Sequence, residues 1–261
     1  GFTGVNSTAA TVGALKQAAP DGATVLLAQG AIATVYPYLY AKLGYDPAAD
    51  LKPVSVAAVA TLALAVGAAV PASVRSLADF IDWSRANPAL SNFGSPGPGT
   101  LPHMLSAMLF RQTKVEAQHV AYAGGPPAMV DLMGGRIASL VLPEGLLRPH
   151  HAAGKLRVLA TSGSARSDFM PDVPTFVEQG HPNLTIREWF AFFMPGSTTA
   201  TVVESASQAV RAAAENKALG SALAEMGMLA SSGTPAAISE RIATEQRYWR
   251  EAINSTGIRV E

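Results

Sequence analysis

The strongest constraint on this chain is an alternation: short apolar runs of strand length, closed by Gly- or Pro-bearing breaks, recur between stretches with helical spacing. The runs fall at residues 24–27, 54–66, 91–93, 119–122, 138–142, 157–161 and 189–193. Strands that alternate with helices specify an α/β architecture, and helical crossovers favour largely parallel sheets. Ser76 ahead of Leu77, Phe80 and Ile81 marks one helix start. Pro126 and Pro127 open another toward Met129, Leu132 and Met133, which Gly134 and Gly135 close. After Pro195 and Gly196 the pattern changes to helices with no convincing strand between them. There Thr234 and Pro235 supply an N-cap and first turn. Ile238, Ile242, Trp249 and Ile253 then line one face of a helix ending near Gly257, with Glu240, Arg241, Glu245, Arg247 and Arg250 on the other.

Charge and composition remove several classes of function. Lys plus Arg and Asp plus Glu stand at 19 each, with no basic stripe, so the electrostatic footprint of a nucleic-acid binder is missing. No cysteine is present, which excludes disulfides, thiolate zinc sites and thiol nucleophiles. The uncharged stretch 54–70 only reaches the lower end of the roughly 17 to 25 residues that span a bilayer. Leu62, Leu64 and Val66 alternate there with small residues at period two, so it reads as a buried strand. Gly1, Phe2, Thr3 and Gly4 carry no charged segment ahead of an apolar one, so no signal peptide is expected within this chain, and a start on Gly reads as processed or truncated. At 261 residues, one large α/β domain and two ordinary ones are both open.

Three glycine-bearing loops at strand ends are the candidate binding elements. The densest, Phe93-Gly94-Ser95-Pro96-Gly97-Pro98-Gly99-Thr100, lies between a strand and a helical pattern, where backbone N–H groups and a positive helix end make an anion cradle. It is neither a dinucleotide fingerprint, because Pro102 occupies the third Gly position, nor a P-loop, because the Gly-Lys-Ser/Thr ending is absent. An ordinary Gly/Pro turn is the competing reading. The second loop, Tyr122-Ala123-Gly124-Gly125-Pro126-Pro127, adds a phenol able to donate to a ligand oxygen. Gln29, Gly30 and Ala31 form the third. Such loops assemble one site outside the carboxyl ends of strands in open α/β sheets. Expected contacts are therefore Gln29, Gly30, Ala31, Ser95, Gly97, Gly99, Thr100, Tyr122, Gly124 and Gly125.

Catalytic and metal-binding sets are not evident. The histidines at 103, 119, 150, 151 and 181 are scattered, and the adjacent His150 and His151 diverge by about 100° on a helix. No local motif pairs Asp131, Glu144 and Glu188 for acid/base work. A serine hydrolase built on Ser95 and His103 is the reading from another class. Phe93, where a nucleophile elbow needs Gly, argues against it. No catalytic residue, cofactor or metal is assigned.

Beyond the loops, the chain resembles the Bug family, the extracytoplasmic solute receptors of tripartite tricarboxylate transporters. The resemblance rests on Lys16-Gln17-Ala18-Ala19-Pro20-Asp21-Gly22, Leu39-Tyr40-Ala41-Lys42-Leu43-Gly44-Tyr45-Asp46-Pro47, Leu51-Lys52-Pro53-Val54, Tyr122-Ala123-Gly124-Gly125, Asp131-Leu132-Met133-Gly134-Gly135, Ala153-Gly154-Lys155-Leu156-Arg157, Pro171-Asp172-Val173-Pro174-Thr175 and Trp189-Phe190, in order along nearly the whole sequence. It implies the type II periplasmic-binding-protein fold, a Venus flytrap of two α/β lobes. Lobe 1 would hold residues 1–66 and 192–261, and lobe 2 residues 67–191. It also implies a periplasmic monomer that captures a small carboxylate and serves the transporter's membrane subunits. A ligand-sensing receptor for a signalling partner is the alternative. Family members begin further upstream with a strand and a Pro-Gly-Gly-type loop, so this chain reads as lacking the N-terminal strand. Ser7 and Thr8, in the altered segment ahead of the first helix, are further expected contacts. Amino-acid-binding members carry an Asp where this chain has Leu142, which implies an acid without an amino group.

Overall fold

A computed structural model describes residues 6–259. The chain divides into two compact units, Gly1–Val59 with Glu188–Glu261, and Ala60–Arg187. In chain order the first unit begins with α1 (Asn6–Gln17), β1 (Leu26–Gln29), the one-turn helices α2 (Ala31–Thr34), α3 (Tyr36–Leu39) and α4 (Pro47–Asp50), and the long strand β2 (Leu51–Val66), within which the chain passes to the second unit. That unit holds α5 (Leu77–Ala86), β3 (Asn92–Ser95), α6 (Leu101–Gln112), β4 (Gln118–Ala121), α7 (Gly125–Met133), β5 (Ser139–Pro143), α8 (Glu144–Ala152) and β6 (Arg157–Thr161). The return begins with β7 (Arg187–Pro195) and ends with α9 (Ala200–Ala214), α10 (Lys217–Glu225), β8 (Met228–Ala230) and α11 (Pro235–Thr256).

In the first unit β1 and β7 run antiparallel, from Leu26 opposite Phe193 to Gln29 opposite Phe190, and β7 is followed in the sheet by β2, with β8 also on β2. One face is closed by α11, which packs on α2 and α3 through buried Ile238, Trp249 and Ile253. Thr234 Oγ1 accepts from Ala237 N, Pro235 sits in the first turn, and Gly257 ends the helix at φ 69°, as the sequence leads one to expect. The Gln246 side chain reaches from this helix to the Ala33 carbonyl, 2.8 Å away, and so holds the turn after β1.

In the second unit β4, β3 and β5 form the parallel part, with β3 paired to both neighbours. These strands are joined by α6 and α7, and crossover helices deliver parallel strands. By contrast β2 runs antiparallel to β5, Leu62 opposite Pro143 through Val66 opposite Ser139, and antiparallel to β6. The expectation of largely parallel sheets is thus corrected to mixed sheets, because β2 is not reached through a helical crossover. The core here is Ala63, Ala65, Ala128, Leu132, Ile137, Leu140, Leu142, Leu147, Leu156 and their neighbours. The uncharged stretch 54–70 lies mostly in β2, and among the described residues no helix is long and apolar enough to cross a membrane. Strand β8 is an addition to the sequence reading: three residues are too short to show an alternation.

Candidate functional site

In the second unit, β3 ends at Ser95 and α6 begins at Leu101, so residues 96–100 must turn the chain within a few residues. Gly99 takes φ +76°, which side-chain-bearing residues avoid, and donates its N–H to His103 Nδ1 at 2.9 Å. Thr100 caps α6, its Oγ1 accepting from His103 N and donating to the Gly97 carbonyl at 2.8 Å. Ser95 is fully buried. Its Oγ accepts from Gly97 N at 3.3 Å, lies 3.0 Å from Gly97 O and pairs with His119 Nε2 at 2.7 Å. The β3–β4 register explains that pair: Ser95 faces Ala121, and His119, two residues earlier, projects on the same side as Ala121.

The two imidazoles are stacked, His103 on His119, with ring centroids 3.8 Å apart and planes 9° apart, and Phe93 stacks beside both. Burial lowers both pKa values. His103 falls to about 3, with the neighbouring His119 charge a second cause. Since Gly99 donates to Nδ1, His103 is a neutral ring carrying its proton on Nε2.

The second loop is tied to the first. Tyr122 N donates to Ser95 O and Gly124 N to Pro96 O, each at 3.0 Å. Gly124 has φ 106° and ψ 175°, a glycine conformation, which lets α7 begin at Gly125. Gly125 is buried: a Cβ there would lie 3.4 Å from both Leu142 methyls. The Tyr122 hydroxyl donates to Asp131 Oδ2 at 2.9 Å, and Arg136 holds the other carboxylate oxygen. Burial and that bond push the phenol up to about 12, so it stays a donor. Thus Ser95, Gly97, Gly99, Thr100, Tyr122, Gly124 and Gly125 are brought together. The side chains of Ser95, Thr100 and Tyr122 are occupied within the protein, while the amides of Ala123 and Gly125 have no acceptor among the described residues.

In the first unit, Gly30 N donates to Trp189 O at 2.8 Å and precedes α2, with Ala31 buried and Gln29 half-buried. A Cβ on Gly30 would come within 2.0 Å of the Trp189 ring. That ring is fixed by Nε1 donating to Glu245 Oε2 at 2.9 Å and by the Arg241 guanidinium 4.6 Å from its centroid. Ser7 and Thr8 fall in α1, and their side chains lie outside the described residues.

These contacts also define what the site is not. The histidine that pairs with Ser95 is His119 rather than His103, and neither ring bonds a carboxylate among the described residues. A hydroxyl buried and bonded on both sides is no free nucleophile. No cluster of three metal-ligating side chains occurs among the described residues. His119 escaped the sequence reading because its pairing depends on sheet register, not on spacing. Replacing Ser95 by Ala is expected to lower stability by about 1–2 kcal/mol, since the Gly97 amide and His119 lose a buried partner. Chemical denaturation of the variant measures this, and an unchanged midpoint would show that the hydroxyl does not hold the loop.

Comparison with known proteins places this geometry among relatives. The family model described as the tripartite tricarboxylate transporter family receptor matches residues 5–258. Protein BugT of Bordetella pertussis (strain Tohama I) is 30% identical over 262 residues, covering 100% of this chain and 78% of its own length. A protein encoded in the tcbD-tcbE intergenic region of Pseudomonas sp. (strain P51) is 29% identical over 240 residues, 92% of this chain and 70% of the relative. Among solved structures, an R. palustris protein with adipate superposes with a TM-score of 0.89 at 27% identity, covering 97% of this chain and 84% of the other. A structure described as a periplasmic transporter gives a TM-score of 0.88 at 28% identity, covering 100% and 86%.

Proposed function

Because the chain belongs to the tripartite tricarboxylate transporter receptor family, we propose that it captures a small organic acid without an amino group in the periplasm and delivers it to the membrane subunits of such a transporter. It is a solute-binding protein of the periplasmic-binding-protein fold, not an enzyme. The observation that carries the ligand class is the joined pair of strand-to-helix turns in the second unit. There the hydroxyls are spent on the fold and the amides at the start of α7 are left for an anion. Backbone N–H groups bond a carboxylate more strongly than a neutral acceptor, which suits them to an acid. The R. palustris relative with adipate supports that class. Gln29, Gly30 and Ala31, with Ser7 and Thr8, are the proposed contacts of the first unit.

Leu142 supports the restriction on the ligand. It is 1% exposed and packs behind Gly125, so this position puts no carboxylate at the turn to pair with an ammonium group. A thermal-shift screen against succinate, adipate, citrate, benzoate and glutamate at millimolar concentration tests the proposal. One of the non-amino acids is expected to raise the melting temperature by a few degrees, with glutamate inert. A flat response to all the acids would refute the assignment of ligand class, and a shift with glutamate alone would refute the restriction.

A further inference from the structure

The first unit holds a carboxyl group that neither the fold nor the proposed amide contacts use. Glu188 lies on β7 and is 3% exposed, with no hydrogen bond or ion pair to its side chain among the described residues. Register fixes where it stands. Gln29 faces Phe190 across the β1–β7 ladder, and Gly30 N bonds the Trp189 carbonyl, so Glu188 comes beside Ala31, at the turn into α2. Residues two apart on a strand share a face, so Glu188, Phe190 and the facing Gln29 project together. Trp189 points the other way, where Glu245 and Arg241 lock it.

The surroundings of Glu188 are phenolic. The Tyr36 hydroxyl lies close enough to feel its charge, and that interaction, with Tyr40 and above all burial, pushes the phenol pKa up. The Tyr36 and Tyr40 rings meet edge to face at 5.0 Å, and the Tyr40 hydroxyl is buried without a partner among the described residues. Tyr45, third of the group, donates to the Ile32 carbonyl. On α11 the charged Arg241 and Glu245 bond each other, and desolvation alone governs the Glu188 carboxyl, raising it to about 7. Its oxygens are not among the side-chain atoms sealed from solvent without a partner, so a ligand oxygen that reached them would relieve the desolvation that raises the carboxyl.

We propose that Glu188 is a ligand-recognition residue of the first unit, which in its protonated form donates a hydrogen bond to a carboxylate oxygen of the bound acid beside Gln29 and Ala31. This rests on the carboxylate-receptor reading and adds to it a proton requirement. The acid form is a donor that a carboxylate accepts strongly, whereas the ionised form repels the ligand. Binding above the carboxyl's own pKa therefore takes up one proton.

The test is a titration of adipate, or of whichever of succinate, citrate and benzoate shifts melting more, into the wild type, Glu188→Gln and Glu188→Leu from pH 6 to 9. Circular dichroism serves as the folding control. Wild-type Kd should be level at low pH and rise about tenfold per pH unit above about pH 7. Glu188→Gln, which keeps a donor and loses the titration, should bind with a level profile, and Glu188→Leu should bind at least tenfold more weakly at pH 6. A wild-type profile without slope, or one that Glu188→Gln retains, overturns the role of Glu188 while leaving the receptor reading intact. Preference for 6-aminohexanoate that strengthens with pH overturns it in favour of a cation partner. No binding of any acid by the wild type overturns both readings.

Discussion

Gly30→Ala is expected to destabilise the protein by about 3 kcal/mol and to lower its melting temperature by roughly 10 °C, a large effect for one added methyl group. The cause is steric, since Gly30 has an ordinary helical φ of −59°. A Cβ would sit 2.0 Å from Trp189 Cε2, and the ring cannot yield. It is 1% exposed, bonded through Nε1 to Glu245 and covered by Arg241. The alternative to moving the ring is opening the Gly30 N to Trp189 O bond, which displaces Gln29 and Ala31 and should weaken ligand binding as well. A melting temperature within a degree or two of wild type would show that the ring packs elsewhere.

Acid is expected to remove about 2 kcal/mol of stability through His103 alone between pH 7 and pH 5. The unfolded residue titrates near 6.5, and the folded one near 3 because it is buried against His119. Below pH 6.5 the unfolded chain therefore binds a proton that the folded chain refuses. Stability from this group is complete above 6.5 and is lost as pH falls toward 3, at about 1.4 kcal/mol per unit. His119, also lowered by burial, acts in the same direction. Glu188 opposes them: its folded pKa stands near 7 against an ordinary 4.5, so its contribution is full below 4.5 and is lost as pH rises through 7. Denaturation at pH 7 and pH 5 in wild type, His103→Gln and Glu188→Gln separates the terms. His103→Gln should lose less stability on acidification than wild type, and Glu188→Gln more. Equal losses in all three would contradict the buried positions of these groups.

Much of this architecture could be read from the chain because its signals are local. The run 54–66 became β2, and Thr234, Pro235 and Gly257 bounded α11, since caps and periodicity act within a few residues. Strand direction is not local: β2 pairs against β5 and β6, and only tertiary structure decides that. The loop at Ser95 was legible as a glycine-rich turn, but the destination of its hydroxyl was not, because His119 arrives through a register 24 residues away in sequence. Tyr122 likewise gave its phenol to Asp131, nine residues further along and within α7. Glu188 carried no motif at all. Its burial comes from the β1–β7 ladder and the tyrosines after β1, neither of which shows in its sequence neighbours Arg187 and Trp189.

Isothermal titration of the acid that gives the largest thermal shift, alongside its methyl ester, tests whether this receptor binds its ligand through carboxylate groups. Saturable binding of one acid per chain is expected, with the ester, uncharged and larger by a methyl at each carboxyl, bound at least a hundredfold more weakly, in keeping with the loss of charge-assisted hydrogen bonds of about 1.5–3 kcal/mol each. Equal affinity for acid and ester would contradict it.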